Sequence, residues 1–99
     1  LPRTEARMIL LAVMCLETSL PWGGRVLICR GTQGWRLVAE AERTRPAPEL
    51  WAWLSPRLAA GLQEPAASDV QFALLAAHAA AGRRPLAGEL DGNGAEISF

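Results

Sequence analysis

The chain lacks lysine and tyrosine altogether, and histidine occurs once in its 99 residues. All ten basic residues are arginines, ten acidic residues balance them, and the formal net charge is zero at pH 7. A nucleic-acid-binding domain usually carries a basic surplus gathered on one face. Here the arginines are scattered along the chain and only Arg83 and Arg84 are adjacent. We therefore expect no nucleic-acid partner.

Cysteine is scarce, since Cys15 and Cys29 are the only two. Both lie in apolar runs, which is typical of reduced, buried cysteines in a cytoplasmic protein. A disulfide or a metal pair is the alternative, but only His78 is left to complete a ligand set. The sequence thus predicts no metal, no cofactor and a cytoplasmic location.

Long hydrophobic runs are also absent. The longest one, Met8–Leu16, is too short to cross a bilayer and is not followed by a signal-peptide cleavage site. We therefore expect no membrane association. The first residue is Leu1 and not an initiator methionine, so we expect a piece of a longer protein.

The spacing of the apolar residues predicts three helices and two hairpins. The helices are expected at residues 4–20, 48–62 and 68–81. The strands are expected at residues 25–30, 35–42, 84–90 and 95–99. Proposed end signals are Thr4 as an N-cap, Pro48 in a first turn, a capping box from Ser68 to Gln71, and Gly82 after the last helix. Pro56 is expected to kink or split the second helix.

This order favours an α/β fold with a single domain over residues 1–99. We expect a two-layer α/β sandwich in which three helices pack on one face of a mixed sheet. The second strand alternates, with Trp35, Leu37 and Ala39 on an apolar face. The unbroken apolar stretch predicts a first helix that is buried on most sides. Trp51 is expected in the core.

Three segments and the order of elements resemble the ATP-binding domain of histidine kinases. The segments are Leu20–Gly24 (LPWGG), His78–Arg83 (HAAAGR) and Asp91–Phe99 (DGNGAEISF). They are similar to that family's Pro-x-Gly-Gly turn, the end of its last helix and its closing hairpin. The resemblance implies a histidine-kinase ATPase-like fold over nearly the whole chain.

The departures from that family fall on its nucleotide-binding motifs. Cys15 stands where the family has a magnesium-binding Asn, and a thiol is a poor ligand for a hard cation. Glu40 comes near the position of the adenine-binding Asp, but no glycine follows it to let backbone approach a base. The glycines expected before the last helix are replaced by a segment containing Asp69. The resemblance is therefore to a degenerate ATP-binding domain.

A kept fold without nucleotide motifs resembles the C-terminal domain of ChpT-type histidine phosphotransferases of alphaproteobacteria. That resemblance implies docking of the receiver domain of a response regulator or hybrid kinase in a two-component phosphorelay. It implies a homodimeric parent whose phospho-accepting His lies on an N-terminal helical hairpin missing from this chain. No catalysis is expected from the chain alone, and His78 is interpreted as structural. The alternatives are a nucleotide-binding domain with unusual motifs and a stand-alone protein-interaction module.

Four residues are candidates for protein docking, and no catalytic, cofactor-binding or metal-binding residue is predicted. Trp22 lies in a turn and Trp53 lies off its helix stripe, and exposed aromatic residues often anchor interfaces. Trp53 is equally compatible with contact to the missing half of the parent. Arg83 and Arg84 are candidates to meet an acidic receiver surface, or else form a solvated turn. Glu40 and Glu42 are interpreted as a solvated sheet face and not as an acid–base pair.

Overall fold

A computed structural model describes residues 2–32, 34–55, 58, 62, 67 and 70–99 of the chain. Its sheet has four strands in the order β1-β2-β4-β3. The strands are β1 (Arg25–Gly31), β2 (Gly34–Glu40), β3 (Ala87–Leu90) and β4 (Gly94–Ser98).

The sheet joins two hairpins through their second strands. Leu37 of β2 pairs with Ile28 of β1 on one side and with Ile97 of β4 on the other. Every pairing among the described strands is antiparallel, so the predicted mixed sheet is wrong in this respect. Each hairpin reverses the chain within itself, and β2 and β4 also run in opposite directions, so no parallel pair arises.

The described residues form three α-helices. They are α1 (Arg3–Thr18), α2 (Pro48–Trp51), which continues into a 3₁₀ turn at Ala52–Leu54, and α3 (Val70–Ala81). The helix start predicted at Thr4 is wrong by two positions, because Pro2 stands at the cap and its carbonyl accepts the N–H of Ala6 at 3.0 Å.

The second helix is shorter than predicted. Ser55 is already extended, with φ −105° and ψ 112°, as expected for a residue that precedes a proline. The predicted kink at Pro56 and the Ser68 end of the predicted capping box lie outside the described residues. The predicted end of the third helix at Ala81 is confirmed.

Helices α1 and α3 pack side by side in opposite directions. Thr18, at the end of α1, accepts a 3.0 Å hydrogen bond from the side chain of Gln71 near the start of α3. Glu5, near the start of α1, binds Arg84 just after α3 at 2.9 Å. These two contacts fix the relative direction of the two helices.

One face of the sheet is covered by the helices and the other is open. Leu37, Ala39, Ala95 and Ile97 point into the core, whereas the open face carries ion pairs such as Arg25–Glu40. The expected apolar face of β2 is therefore confirmed. The core residues are Met8, Leu11, Ala12, Cys15, Leu16, Leu37, Ala39, Ala47, Trp51, Leu54, Phe72, Leu75, Ala79, Leu86, Ala95, Ile97 and Phe99.

Helix α1 is less enclosed than its apolar run suggested. Leu10 and Met14 are 61% and 44% exposed, although both lie within that run. The helix can bury only the side that meets the sheet and α3, so part of an apolar run longer than two turns must face outward.

Close approach at Gly88 holds α2 against β3. A Cβ at this glycine would lie 2.9 Å from the Cδ1 of Leu54 and 3.1 Å from the Cε3 of Trp51. The absence of a side chain therefore lets the indole lie directly on the strand. Among the described helices, none is long and apolar enough to cross a membrane.

Candidate functional site

Trp22 forms an exposed aromatic platform in the turn after α1. Its side chain is 58% exposed, and the guanidinium carbon of Arg43 lies 3.7 Å from the centre of its ring. Such a contact holds the indole in place by cation–π attraction. Gly23, Gly24 and Glu42 complete a shallow open cleft beside it. The geometry is that of a fixed aromatic anchor which faces outward.

Arg83 stands in a left-handed backbone conformation at the end of α3, with φ 53°. The N–H of Arg84 reaches the carbonyl of Ala79 at 2.8 Å, and the N–H of Arg83 reaches that of Ala80 at 3.1 Å. This is a Schellman ending whose left-handed residue is usually glycine. The prediction that Gly82 fills that position is thus wrong by one residue. The side chain of Arg83 is exposed.

The same ending of α3 directs the side chain of Arg84 toward the interior of the domain. Its side chain is 24% exposed, donates to a carboxylate oxygen of Glu5 at 2.9 Å and lies 5.4 Å from the ring centre of Phe99. The hydrogen bond from Arg84 holds the pKa of Glu5 below its ordinary value, against the opposing effect of desolvation. Arg84 therefore joins α1 to the end of the sheet.

Trp53 is half-buried and packs against the core. The four predicted docking residues thus do not form one surface. Trp22 lies at the end of the fold where α1 ends, and Arg83 and Arg84 lie at the opposite end. Trp22 and Arg83 are open to a partner, while Trp53 and Arg84 make internal contacts. Docking through these residues stays a prediction.

The position of Cys15 is closed to solvent. The thiol belongs to a fully buried residue, and burial raises its pKa to about 12. A protonated thiol in an apolar core offers no ligand to a cation. Cys29, in contrast, is exposed on β1, so the expectation that both cysteines are buried is wrong for it. Its side chain points to the open face of the sheet. Both thiols are free, as expected.

The segment after β2 is tied to the β3–β4 turn by four hydrogen bonds. The N–H groups of Ala41 and Thr44 donate to the carbonyls of Asn93 and Gly92, each at 3.0 Å. The hydroxyl of Thr44 donates to the carbonyl of Asp91. The side-chain amide of Asn93 donates to the carbonyl of Glu42 at 2.9 Å. The backbone N–H groups of Ala41 and Thr44 are therefore already used within the chain.

Glu40 lies on the open face of the sheet and not between the layers. It pairs with Arg25 at 2.9 Å, and its side chain is 56% exposed. Its predicted place on a solvated sheet face is thereby confirmed. Because the side chain points away from the helices, Glu40 does not reach a ligand held between the two layers. Asp69 lies outside the described residues.

A buried polar contact that sequence reasoning missed links α2 to the end of α1. Ser19 is 1% exposed, and its hydroxyl accepts a 2.9 Å hydrogen bond from the indole N–H of Trp51. The Trp51 ring also meets Phe72 edge-on, with ring centres 5.9 Å apart. The indole therefore fills the space between the helices and β3, and its polar atom is satisfied from within the chain.

The described residues contain no group of three or more His, Cys, Asp or Glu side chains that would hold a metal ion. His78 is half-buried on α3, and its backbone carbonyl accepts the N–H of Gly82 at 3.1 Å. The described surface presents exposed aromatic and arginine side chains on a two-layer frame. These features define the class as a two-layer α/β domain.

Comparison with known families identifies that domain further. The family described as histidine phosphotransferase C-terminal domain matches residues 1–94. The chain belongs to this family, and its role lies in phosphorelay signalling. The resemblance drawn from the sequence is thereby confirmed. No curated protein and no solved structure shows a significant match to the chain.

Proposed function

We propose that this chain is the C-terminal domain of a histidine phosphotransferase, and that it docks the receiver domain of a phosphorelay partner. It does so without binding nucleotide. The family assignment supports a role in the relay. The receiver domain of a response regulator or hybrid kinase is the partner that this role requires. The reactive His of the parent lies on a helical hairpin outside this chain, and the hairpin joins two copies into a dimer in the cytoplasm.

The observation that carries the proposal is the closure of the segment after β2. Thr44 is 5% exposed, and both its N–H and its hydroxyl are bonded to the β3–β4 turn. A nucleotide that used these donors would have to break their bonds and separate the two loops. The core thiol of Cys15 adds a second reason, because it supplies no oxygen ligand for magnesium.

The nucleotide arm of the test is an NMR titration of the chain with an ATP analogue and Mg²⁺. The expected result is no saturable shift of resonances from Thr44, Trp51 or Cys15. Saturable binding with a dissociation constant below about 0.1 mM would favour the nucleotide-binding alternative and overturn the proposal.

The docking arm is a pull-down of purified receiver domains by the full-length parent and by this chain. Capture by the parent that weakens when this domain is deleted is the expected result. Equal capture by the parent with and without the domain would show that docking lies elsewhere.

A further inference from the structure

The neutral chain separates its charges along the fold. Six described arginines lie at the end where α1 begins and α3 finishes: Arg3, Arg7, Arg30, Arg36, Arg83 and Arg84. We name this region the basic end. The sequence scatters these residues over more than eighty positions, and the antiparallel packing of the helices and hairpins brings them to one end of the fold. Arg36 lies on the open face of the sheet there, and Arg3, Arg7 and Arg83 lie on the helix layer.

Three described glutamates offset the basic end. Glu5 pairs with Arg84, Glu96 pairs with Arg36 across the sheet face, and Glu89 lies opposite Glu96 in the sheet. Six arginines against three glutamates give this region a side-chain charge of +3. Arg3, Arg7, Arg30 and Arg83 are exposed and form no salt bridge within the described part of the chain.

The opposite end has the reverse sign. Its described charged residues are Glu17, Glu40, Glu42, Glu49 and Asp91 against Arg25, Arg43 and Arg45. The helix dipoles do not cancel this separation, because α1 begins and α3 finishes at the basic end and their effects oppose each other.

Aromatic rings contact two arginines of the basic end, and an open cleft lies beside them. The guanidinium carbon of Arg30 lies 5.3 Å from the ring centre of Trp35, and that of Arg84 lies 5.4 Å from the ring centre of Phe99. Arg30, Arg36, Trp35 and Phe99 line an open cleft of about 570 Å³ together with Pro85 and Leu86. The surface thus combines fixed positive charge with apolar walls.

We infer that the basic end is an interaction surface for an acidic segment of a partner protein. Charge complementarity selects the occupant, since unpaired guanidinium groups attract carboxylates and can bind them bidentately. The apolar walls of the cleft accept a hydrophobic side chain between the acidic ones. This inference deepens the docking role proposed above and rests on it, because it names the surface and the charge of the partner.

The test uses a fluorescent peptide of about twelve residues rich in Asp and Glu, with one Leu, measured by anisotropy at low salt. The expected result is binding that weakens as salt is raised and that shifts the NMR resonances of residues 30–36 and 83–87. A double-stranded DNA probe is titrated in parallel. Tighter binding of DNA than of peptide would overturn the inference in favour of a nucleic-acid surface.

Two double variants locate the binding surface. Arg3→Gln with Arg7→Gln removes two exposed charges that make no described hydrogen bond, and Arg30→Gln with Arg83→Gln removes the two nearer the cleft. Each is expected to weaken peptide binding by about fivefold or more at low salt. The matched control is Arg25→Gln with Arg45→Gln at the opposite end, which should change the affinity less than twofold. Equal losses in the control and the test variants, or no peptide binding at all, would contradict the inference. Thermal melts confirm that each variant is folded.

Receiver binding separates this inference from the proposed function. If a receiver binds the parent and the basic-end variants bind it equally well, the surface is wrongly placed and the docking role stands. If no receiver binds the parent while the acidic peptide still binds the basic end, the docking role fails and the surface stands.

Discussion

The indole N–H of Trp51 donates to the hydroxyl of Ser19 across 2.9 Å in the interior of the domain. Ser19 also receives the N–H of Arg45 at its carbonyl, at 2.9 Å. One serine therefore joins the end of α1 to α2 and to the loop before it. These are the elements that fill the space between the two layers.

Replacing Ser19 by alanine should lower the free energy of unfolding by about 1–3 kcal/mol, because the buried indole N–H loses its acceptor. Urea denaturation at neutral pH measures the change. Ser98→Ala is the control, since its hydroxyl makes no described hydrogen bond and the loss should stay within about 0.5 kcal/mol. Equal effects of the two substitutions would show that the Ser19–Trp51 bond contributes nothing to stability.

The two cysteines should differ sharply in reactivity. Cys29 is exposed, whereas Cys15 is fully buried with its pKa raised to about 12. A thiol reagent at pH 8 should modify one cysteine in the native chain and both in urea, because the thiolate is the reactive form. The Cys29→Ser variant should show no fast modification when native. Rapid modification of that variant would mean that the core around Cys15 opens readily.

Protonation of Glu5 at acid pH should lower the free energy of unfolding of the domain. Its folded-state pKa lies below the ordinary value of 4.5, with Arg84 as the main cause. The contribution of ionised Glu5 to the free energy of unfolding is therefore fully present above pH 4.5. It is lost as the pH falls through the folded-state pKa. Thermal melts between pH 7 and pH 2 should show a smaller acid-side decline for Glu5→Gln than for the wild type. Glu17→Gln, an exposed change on the same helix, should show the same acid-side decline as the wild type. An equally reduced decline in Glu17→Gln would contradict the assignment of the effect to Glu5.

Arg83→Gly should stabilise the domain. A side chain at φ 53° costs about 1 kcal/mol that glycine does not. Part of this gain is offset by the greater freedom of glycine in the unfolded chain, so we expect a net gain of at most about 0.5 kcal/mol. The matched substitution Arg7→Gly, inside α1, should instead lower stability by about 1 kcal/mol. A loss at both positions, measured by urea denaturation, would show that Arg83 is not strained.

Local sequence signals predicted the frame of the fold well. The alternation of Trp35, Leu37 and Ala39 identified the buried face of β2, and the Asp91–Gly94 segment identified the last turn. There the N–H of Asp91 reaches the carbonyl of Gly94, and the N–H of Asn93 reaches the Asp91 carboxylate, both at 2.9 Å. Such signals act between neighbours, so they can be read without tertiary information.

The sequence-based predictions were wrong at positions where another local or tertiary effect outweighs the sequence signal. Gly82 was the natural choice for the left-handed residue, yet Arg83 adopts that conformation and Arg84 then lies beside Glu5. Leu10 and Met14 belong to an apolar run, but the number of neighbours around α1 leaves them exposed. Sequence analysis named only Arg83 and Arg84 as candidates for an acidic partner surface, because the other arginines of the basic end join them only once both hairpins and both long helices are in place.

The most direct test of the account is calorimetric titration of a receiver domain into this chain, with and without an ATP analogue and Mg²⁺. The account predicts that the analogue alone gives no binding heat and that the receiver binds with the same dissociation constant in both conditions. Saturable heat from the analogue, or receiver binding that appears only in its presence, would contradict docking without nucleotide.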